Sequence, residues 1–415
     1  SDVYKRQEFE MKKYNIPFSP PDISDGEINE VIDTLKSGWI TTGPKTKELE
    51  RRLSEFTNTP KTVCLNSATA ALELTLRVLG IGEGDEVIVP AMTYTASCSV
   101  IYHVGAKAVI VDIAEDSHEM DYDALADAIT ENTKAVIPVD LAGIPCDYDR
   151  IFEVVENKKH LFKANSEYQE KLGRVAVVAD GAHALGSTYK GKKIGSVADF
   201  TTFSFHAVKN FTTAEGGSVT WKENKNFDNE ELYREYQIYS LHGQTKDALA
   251  KTKAGSWEYD IVIPGYKCNL TDIAASIGLV QLDRYPKLLE RRDDIISQYN
   301  KGFEGTKITA LSHSSEDYKS CGHLYITHVE GATFEQRGEI IIKMAERGIS
   351  CNVHYKPLPL LTAYENLGFD IENYPNAYNY YAKEITLPLH TRLSDEDVAV
   401  IIENFKEIVE EVVGE

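Results

Sequence analysis

No stretch of about 18 uncharged apolar residues occurs anywhere in the 415-residue chain, so a membrane-spanning helix is not expected. Cationic excess is missing as well. A formal net charge of −21 argues against broad binding to nucleic acid or an anionic membrane, which needs clustered cations facing phosphates, but it leaves room for a small anionic substrate. The six cysteines (Cys64, Cys98, Cys146, Cys268, Cys321 and Cys351) lie far apart, with neither C-x-x-C spacing nor a compact disulfide framework, and are expected to be buried thiols. His118-Glu119 is not followed by the second histidine of H-E-x-x-H, so no metal site is expected. Residues Ser1 to Lys13 are polar and charged, without the apolar segment of a signal peptide, and a cytoplasmic location is the default expectation. No internal repeat or low-complexity tract is visible.

What the chain does contain is alternation. Between about Pro60 and Asp199, short β-branched runs alternate with helical stretches, the pattern of a sheet with crossover helices. Glu86 to Pro90, Ala106 to Ile113, Ala135 to Val139 and Val175 to Asp180 are apolar on both faces, as strands of a covered parallel sheet should be. Asn66 to Thr69 opens a helix over Ala70 to Leu79. The lysine-rich segment Asn157 to Gly173 reads as a surface insertion. A long helical pattern from Leu270 leads toward a smaller α/β unit. That unit is expected to hold strands at His323 to Val329 and Ile349 to His354, a helix over Phe334 to Arg347, and a final helix capped by Ser394 with the stripe Val398, Ile401, Phe405, Ile408 and Val412. The expected division is an N-terminal extension over 1–15, a large domain over 16–285 and a small C-terminal domain over 286–415.

Lys209 follows an apolar strand, Phe200 to Phe205, and precedes Glu215-Gly216-Gly217, where the glycines allow a tight turn. A surface lysine would leave the apolar setting of Phe203, Phe205 and Phe211 unexplained, because burying an ammonium is costly and burying a Schiff-base lysine is not. Asp180 ends another strand and could hold a proton on a pyridinium nitrogen, or, without Lys209, simply cap the next helix. Together they are what a pyridoxal phosphate enzyme needs, one amine to carry the cofactor and one anion for its ring. Ser67-Ala68-Thr69 stands where a helix start could cradle a phosphate, and taken alone is an ordinary N-cap. Tyr94, in the loop after a strand, could stack on the ring or simply pack in the core. His183 could donate to the ring's phenolic oxygen or be hydrogen-bonded in place. Gly186 to Lys192 has the G-x-x-x-x-G-K spacing of a P-loop, but Lys193 stands where Ser or Thr would bind magnesium, and a β-hairpin turn at Lys190-Gly191 is the favoured reading.

The ordered set Ser37 to Pro44, Asn66 to Leu72, Gly84 to Pro90, Asp180 to Ala184, Phe203 to Asn210, Gly265 to Asp272 and His354 to Pro357 resembles the DegT/DnrJ/StrS aminotransferases. The resemblance implies an α/β fold of pyridoxal phosphate fold type I, with a mostly parallel seven-stranded sheet in the large domain and a small C-terminal α/β domain. It implies that Lys209 forms the internal aldimine, that Asp180 meets the ring nitrogen, that Tyr94 stacks on the ring and that His183 lies by the phenolic oxygen. Ala68, Thr69 and Ser204 would meet the phosphate. Asn269 would reach the other subunit's cofactor, hence a homodimer with shared active sites. A nucleotide-linked keto sugar would lie near Trp39, Ile40, Thr41, His354, Tyr355 and Lys356, with an amino acid, by family habit glutamate, as donor. Cys268 departs from a commoner aromatic, and Ser1 to Gln7 match nothing in the family pattern. The family also holds dehydratases with histidine in place of the lysine and was once assigned regulatory roles; Lys209 argues for transamination over both.

Overall fold

The computed structural model describes residues 14–245 and 258–414. Its first half lays down β1 (Thr62–Leu65), β2 (Glu86–Pro90), β3 (Lys107–Val111), β4 (Thr133–Val136), β5 (Ala176–Asp180), the short pair β6 (Thr188–Tyr189) and β7 (Lys192–Lys193), β8 (Phe200–Ser204) and β9 (Gly217–Trp221). The helices among and before them are α1 (Asp25–Ser37), α2 (Pro44–Thr57), α3 (Ala68–Val78), α4 (Thr95–His103), α5 (Tyr122–Ala128), α6 (Tyr148–Asn157) and α7 (Glu167–Leu172). Beyond come α8 (Asn229–Ser240), α9 (Asp272–Phe303), β10 (Ile308–Ala310), β11 (Tyr318–Lys319), β12 (Tyr325–Val329), α10 (Phe334–Glu346), α11 (Thr362–Glu365), α12 (Pro375–Lys383), β13 (Glu384–Leu387) and α13 (Asp395–Val413).

Seven strands form one sheet in the order β1-β9-β8-β5-β4-β2-β3. The run from β8 to β3 is parallel, and β9 lies antiparallel between β8 and β1. This is the large, mostly parallel sheet the sequence led us to expect. Every residue of β5 and of β9 is buried, because helices cover both faces. Alternate residues of β5 serve two cores: Ala176 and Val178 face one, Val177 and Ala179 the other. In a parallel arrangement the strands' C-terminal ends share one edge, and ligands of open α/β sheets bind there.

The 32-residue helix α9 carries the chain out of this layer and contains Pro286, so the division expected at 285/286 falls within a helix. Asp272 at its start accepts from the amides of Gly43 and Thr46 and from the Thr46 hydroxyl, which ties α9 to the start of α2. The C-terminal unit is an antiparallel sheet, β10-β12-β13, backed by α10 and α13 over a third core. The capping box of Ser394 with Asp397 starts α13, whose stripe Val398, Ile401, Phe405 and Ile408 is buried.

Three expectations need correction. Asn157 to Gly173 is not a mere surface insertion: it includes α7, Tyr168 stacks edge-on to Phe227 at 5.4 Å, and Ser166 and Gln169 both donate to the carbonyl of Leu79, closing the end of α3. Its polar composition hides a few inward-facing residues. Ile349 to His354 forms no strand; single bridges join Ile349 to Ile16 and Asn352 to Thr386, so the segment is shared between neighbours and pairs continuously with neither. Of the cysteines, Cys64, Cys98, Cys146 and Cys321 are buried, whereas Cys268 and Cys351 are only half-buried. Gly186 to Lys192 does run into a hairpin, β6 to β7, turned by Lys190 and Gly191 at φ 46° and 76°. Among the described residues no helix is long and apolar enough to cross a membrane.

Candidate active site

A cleft of about 360 Å³ opens at the C-terminal edge of the large sheet, where Ala68, Thr69, Tyr94, Asp180, His183, Ser204, Lys209, His354 and Tyr355 all line its wall. The strand order explains the gathering. β5 delivers Asp180 and β8 delivers Ser204 on adjacent parallel strands, and the tight turn His206 to Lys209 brings the lysine back over the edge.

Asp180 is 6% exposed and held on both oxygens: Ser97 Oγ donates to Oδ2 at 2.6 Å and the Ala182 amide to Oδ1 at 3.1 Å. Ser97 is itself 2.7 Å from Thr93 Oγ1, so the carboxylate's orientation is fixed from the helix α4 side. Among the described residues Lys209 Nζ meets no hydrogen-bond or ion-pair partner; the Asp180 charge reaches it only through space. Burial pushes its ammonium down to about 8, and the attraction of Asp180 works against that shift without cancelling it.

Helix α3 starts at the cleft wall. Ser67 caps it by accepting from the Ala70 amide, whereas the amides of Ala68 and Thr69 have no acceptor among the described residues. Two such donors at the positive end of an 11-residue helix suit an anion. Gly217 packs so closely behind them that a Cβ would stand 2.3 Å from the Ala68 nitrogen and 2.4 Å from the Ser67 carbonyl carbon, so only glycine lets β9 back this turn.

His183 Nδ1 accepts from the Ala142 amide at 3.2 Å, so the neutral ring carries its proton on Nε2, which lies 3.1 Å from Tyr355 Oη. Burial, with the charge of Lys209 and the neighbouring His354 adding to it, drives this imidazole well below its usual range, and it stays neutral at pH 7. Tyr94 is 60% exposed over the cleft and meets Tyr355 at 5.9 Å. The ring is available to a ligand and is not spent on core packing.

The remaining expected residues sit elsewhere. Trp39, Ile40, Thr41, Asn269 and Lys356 do not line their own chain's cleft. Four of them form one neighbourhood: Trp39 Nε1 donates to the Thr42 carbonyl, Asn269 Nδ2 donates to Thr42 Oγ1, and the Thr41 carbonyl accepts from the Asp272 amide. Conversely, His323 lines the cleft and escaped sequence reasoning. Its ring lies 4.3 Å from that of His183, and its Nδ1 is 2.8 Å from Asn210 Oδ1, beside Lys209. No periodicity or spacing marks it, because the segment leading into β12 reaches the large sheet's edge only in three dimensions. Ser97 and Thr93 were equally silent.

These residues fit pyridoxal phosphate. A half-buried, unpaired amine, a fixed carboxylate, free helix-start amides and an exposed aromatic are the donor set that the cofactor's aldehyde, ring nitrogen, phosphate and ring face require.

Comparison with known proteins points the same way. The sequence model of the DegT/DnrJ/EryC1/StrS aminotransferase family matches residues 21–406. Among solved structures, the protein is similar to Spr1654 of Streptococcus pneumoniae, assigned as a sugar aminotransferase. Its PLP form is 67% identical with a TM-score of 0.93 over 96% of this chain and 100% of that one, and its PMP form is 69% identical with a TM-score of 0.94 over the same shares. It is also similar to PseC of Helicobacter pylori, an aminotransferase involved in the biosynthesis of pseudoaminic acid (29% identity, TM-score 0.83, 96% and 100% of the two chains). The spore coat polysaccharide biosynthesis protein SpsC of Bacillus subtilis is 38% identical over 98% of this chain and 99% of its own.

Proposed function

Because the chain belongs to the DegT/DnrJ/EryC1/StrS aminotransferase family and is a pyridoxal phosphate-dependent sugar aminotransferase, we propose that it moves an amino group from glutamate to a keto group of a nucleotide-linked sugar, as a cytoplasmic homodimer with shared active sites. The product would feed cell-surface polysaccharide or amino-sugar biosynthesis, the setting named for SpsC and PseC. Bound in the cleft, the cofactor supplies a carbonyl that exchanges for an amine and a ring that accepts the electron pair left when a C–H proton is removed.

The chain's own residues do the rest. The amides of Ala68 and Thr69, with the Ser204 hydroxyl, bind the phosphate dianion at the α3 start. Asp180, oriented by Ser97 and Ala182, holds a proton on the ring nitrogen. Lys209 Nζ, with its ammonium pushed down to about 8, is a base of useful strength near neutral pH and moves the proton at the donor's α-carbon. His183 holds its Nε2 proton beside Tyr355 Oη at the cleft wall, and the exposed Tyr94 would stack on the ring.

Support for the homodimer comes from an apolar groove beside the cleft. Ile28, Ile32 and Leu35 make one exposed stripe along α1 (51%, 40% and 53% exposed), and the groove that Ile28 and Ile32 line continues to Ala207, two residues from Lys209. A second copy seated there would bring its own Asn269 and Trp39 to Thr41 neighbourhood toward a cleft that these residues do not enter in their own chain.

The observation that carries the reading is the unpaired, half-buried Lys209 sharing one cleft with Asp180. The test is two half-reactions on purified protein loaded with pyridoxal phosphate. Glutamate should convert the cofactor to its amine form, and one nucleotide-linked keto sugar should restore it. An enzyme that accepts other donors but not glutamate, or free sugars as readily as nucleotide-linked ones, refutes the substrate assignment.

A further inference from the structure

Strand β13 aims two polar side chains at the back of the cleft. Glu384 and Thr386 are two residues apart, hence on one face of the strand, and both are 0% exposed. Thr386 Oγ1 donates to Glu384 Oε1 at 2.5 Å and lies 2.9 Å from His354 Nδ1, while Glu384 Oε2 accepts the His354 amide at 2.9 Å. His354 in turn lines the cleft, its ring stacked on Phe18 at 5.6 Å. A fully enclosed carboxyl is thereby wired, through one hydroxyl, to a ring at the site.

A hydroxyl has a single proton to give. With Glu384 ionised, Thr386 donates to it and must accept from His354 Nδ1–H, which leaves Nε2 a bare acceptor. When Nε2 binds a proton, the Nδ1–H bond breaks as an O–H bond forms on Thr386, and the Thr386 O–H bond breaks as one forms on Glu384. The outcome is a neutral imidazole with its proton on Nε2 and a neutral carboxyl. Charge is never held on the ring.

We propose that Glu384, acting through Thr386, lets His354 Nε2 take up and return one proton for a group in the cleft while the imidazole stays neutral. Glu384 and Thr386 are positioning residues in this scheme. Burial, reinforced by Lys209, pushes the His354 imidazolium down to about 3, and burial lifts Glu384 to about 7, so near neutral pH the carboxyl is where the proton rests. The groups around Glu384 do not compete for it. The Arg337 guanidinium of α10 attracts its negative charge; Tyr355 and the Tyr380 phenol of α12 are pushed up by burial; His328, its cross-strand partner on β12, is pushed down to about 4. The group served is the sugar's carbonyl oxygen, which must gain protons to leave as water. That last assignment rests on the proposed function; the relay does not.

The test uses full-length cofactor-free protein with ¹⁵N-labelled histidine, with His354 assigned by the resonance lost in His354→Gln. Between about pH 9 and about pH 5, His354 should pass from the Nδ1–H to the Nε2–H neutral tautomer with a midpoint near 7 and no imidazolium. Glu384→Gln and Thr386→Val should abolish the switch, and Thr386→Ser should retain it. A wild-type His354 that keeps one tautomer throughout, or that titrates to imidazolium, overturns the relay whether or not the variants fold. Both half-reactions are then followed against pH in Glu384→Gln. An amination profile identical to wild type overturns the use of the relay on the sugar, while an intact glutamate half-reaction in the same sample leaves the transaminase reading standing.

Discussion

Lys209 offers a quantitative test that needs no substrate. An ordinary lysine with a pKa of 10.5 is about 0.1% neutral amine at pH 7.5, whereas a group at about 8 is roughly one quarter neutral, a gain of about 250-fold in the nucleophilic form. The sign follows from the causes. Burial penalises the ammonium, and Asp180 opposes the penalty by attraction, so Asp180→Asn should lower the Lys209 pKa further and make the amine more reactive at pH 7, even as it removes the group that serves the ring. Reductive methylation with ¹³C-formaldehyde, followed by NMR of the methylated amines against pH, reads this directly on cofactor-free protein. Lys209 should titrate near pH 8 while the bulk of the surface lysines titrate near 10.5, and lower still in Asp180→Asn. A Lys209 resonance that titrates with the surface lysines, or rises when Asp180 is neutralised, would refute both the burial and the electrostatic pairing on which the site is built.

Removing the Ser97 hydroxyl frees one oxygen of a carboxylate that the bond holds at 2.6 Å, so Ser97→Ala should weaken pyridoxal phosphate binding on the order of tenfold with unchanged circular dichroism; equal affinity by absorbance titration would exclude an orienting role. Ile28→Glu with Ile32→Glu places two carboxylates on the exposed α1 stripe and should convert a dimer to monomers in sedimentation velocity, at little cost to the chain's own fold. Acid should destabilise the protein well before its ordinary, exposed carboxylates protonate. His118, His313, His328 and His390 are pushed down to about 4 and His354 to about 3, so each contributes stability that is present above about 6.5 and lost as pH falls through the depressed value. For His313 alone the shift is worth about 3 kcal/mol. Asp140 and Glu384, both raised to about 7, act in the opposite sense, because their contribution is full in acid and lost as pH rises through 7. The histidines outnumber them, so Tm should fall between pH 6.5 and 4.5; a Tm that is flat or rising over that interval would contradict the burial of these rings.

What could be read from the sequence was whatever leaves a local trace. The strands of the parallel sheet are continuous apolar runs because both faces are covered, and Val175 to Asp180 announces itself for that reason. Ser394 and Asp397 mark the start of α13 because a cap is a local contact. Lys209 stood out because its aromatic surroundings are adjacent in sequence, and Phe205 and Phe211 do meet at 4.8 Å. Contacts made at long range left nothing comparable. Ser97 lies 83 residues from Asp180, and Tyr355 lies 172 from His183, and neither pairing imposes a pattern on its own segment. The Asn157 to Gly173 stretch failed for a related reason, since two inward residues among many lysines and glutamates cannot shift a composition.

The same distinction separates the two kinds of residue in the site. Groups proposed to meet the cofactor's fixed chemistry, the amine, the carboxylate and the helix-start amides, are placed by the large sheet's edge and can be located once the strands are known. Groups that come from the small unit, His323, His354 and Tyr355, with Glu384 and Thr386 behind them, reach the cleft only because α9 spans both parts and turns the C-terminal sheet toward that edge. On the proposed reading, substrate discrimination and proton handling at the sugar depend on the docking of one unit on the other. Substitutions on β13 should alter them without disturbing the hold of Ala68, Thr69 and Asp180 on the cofactor.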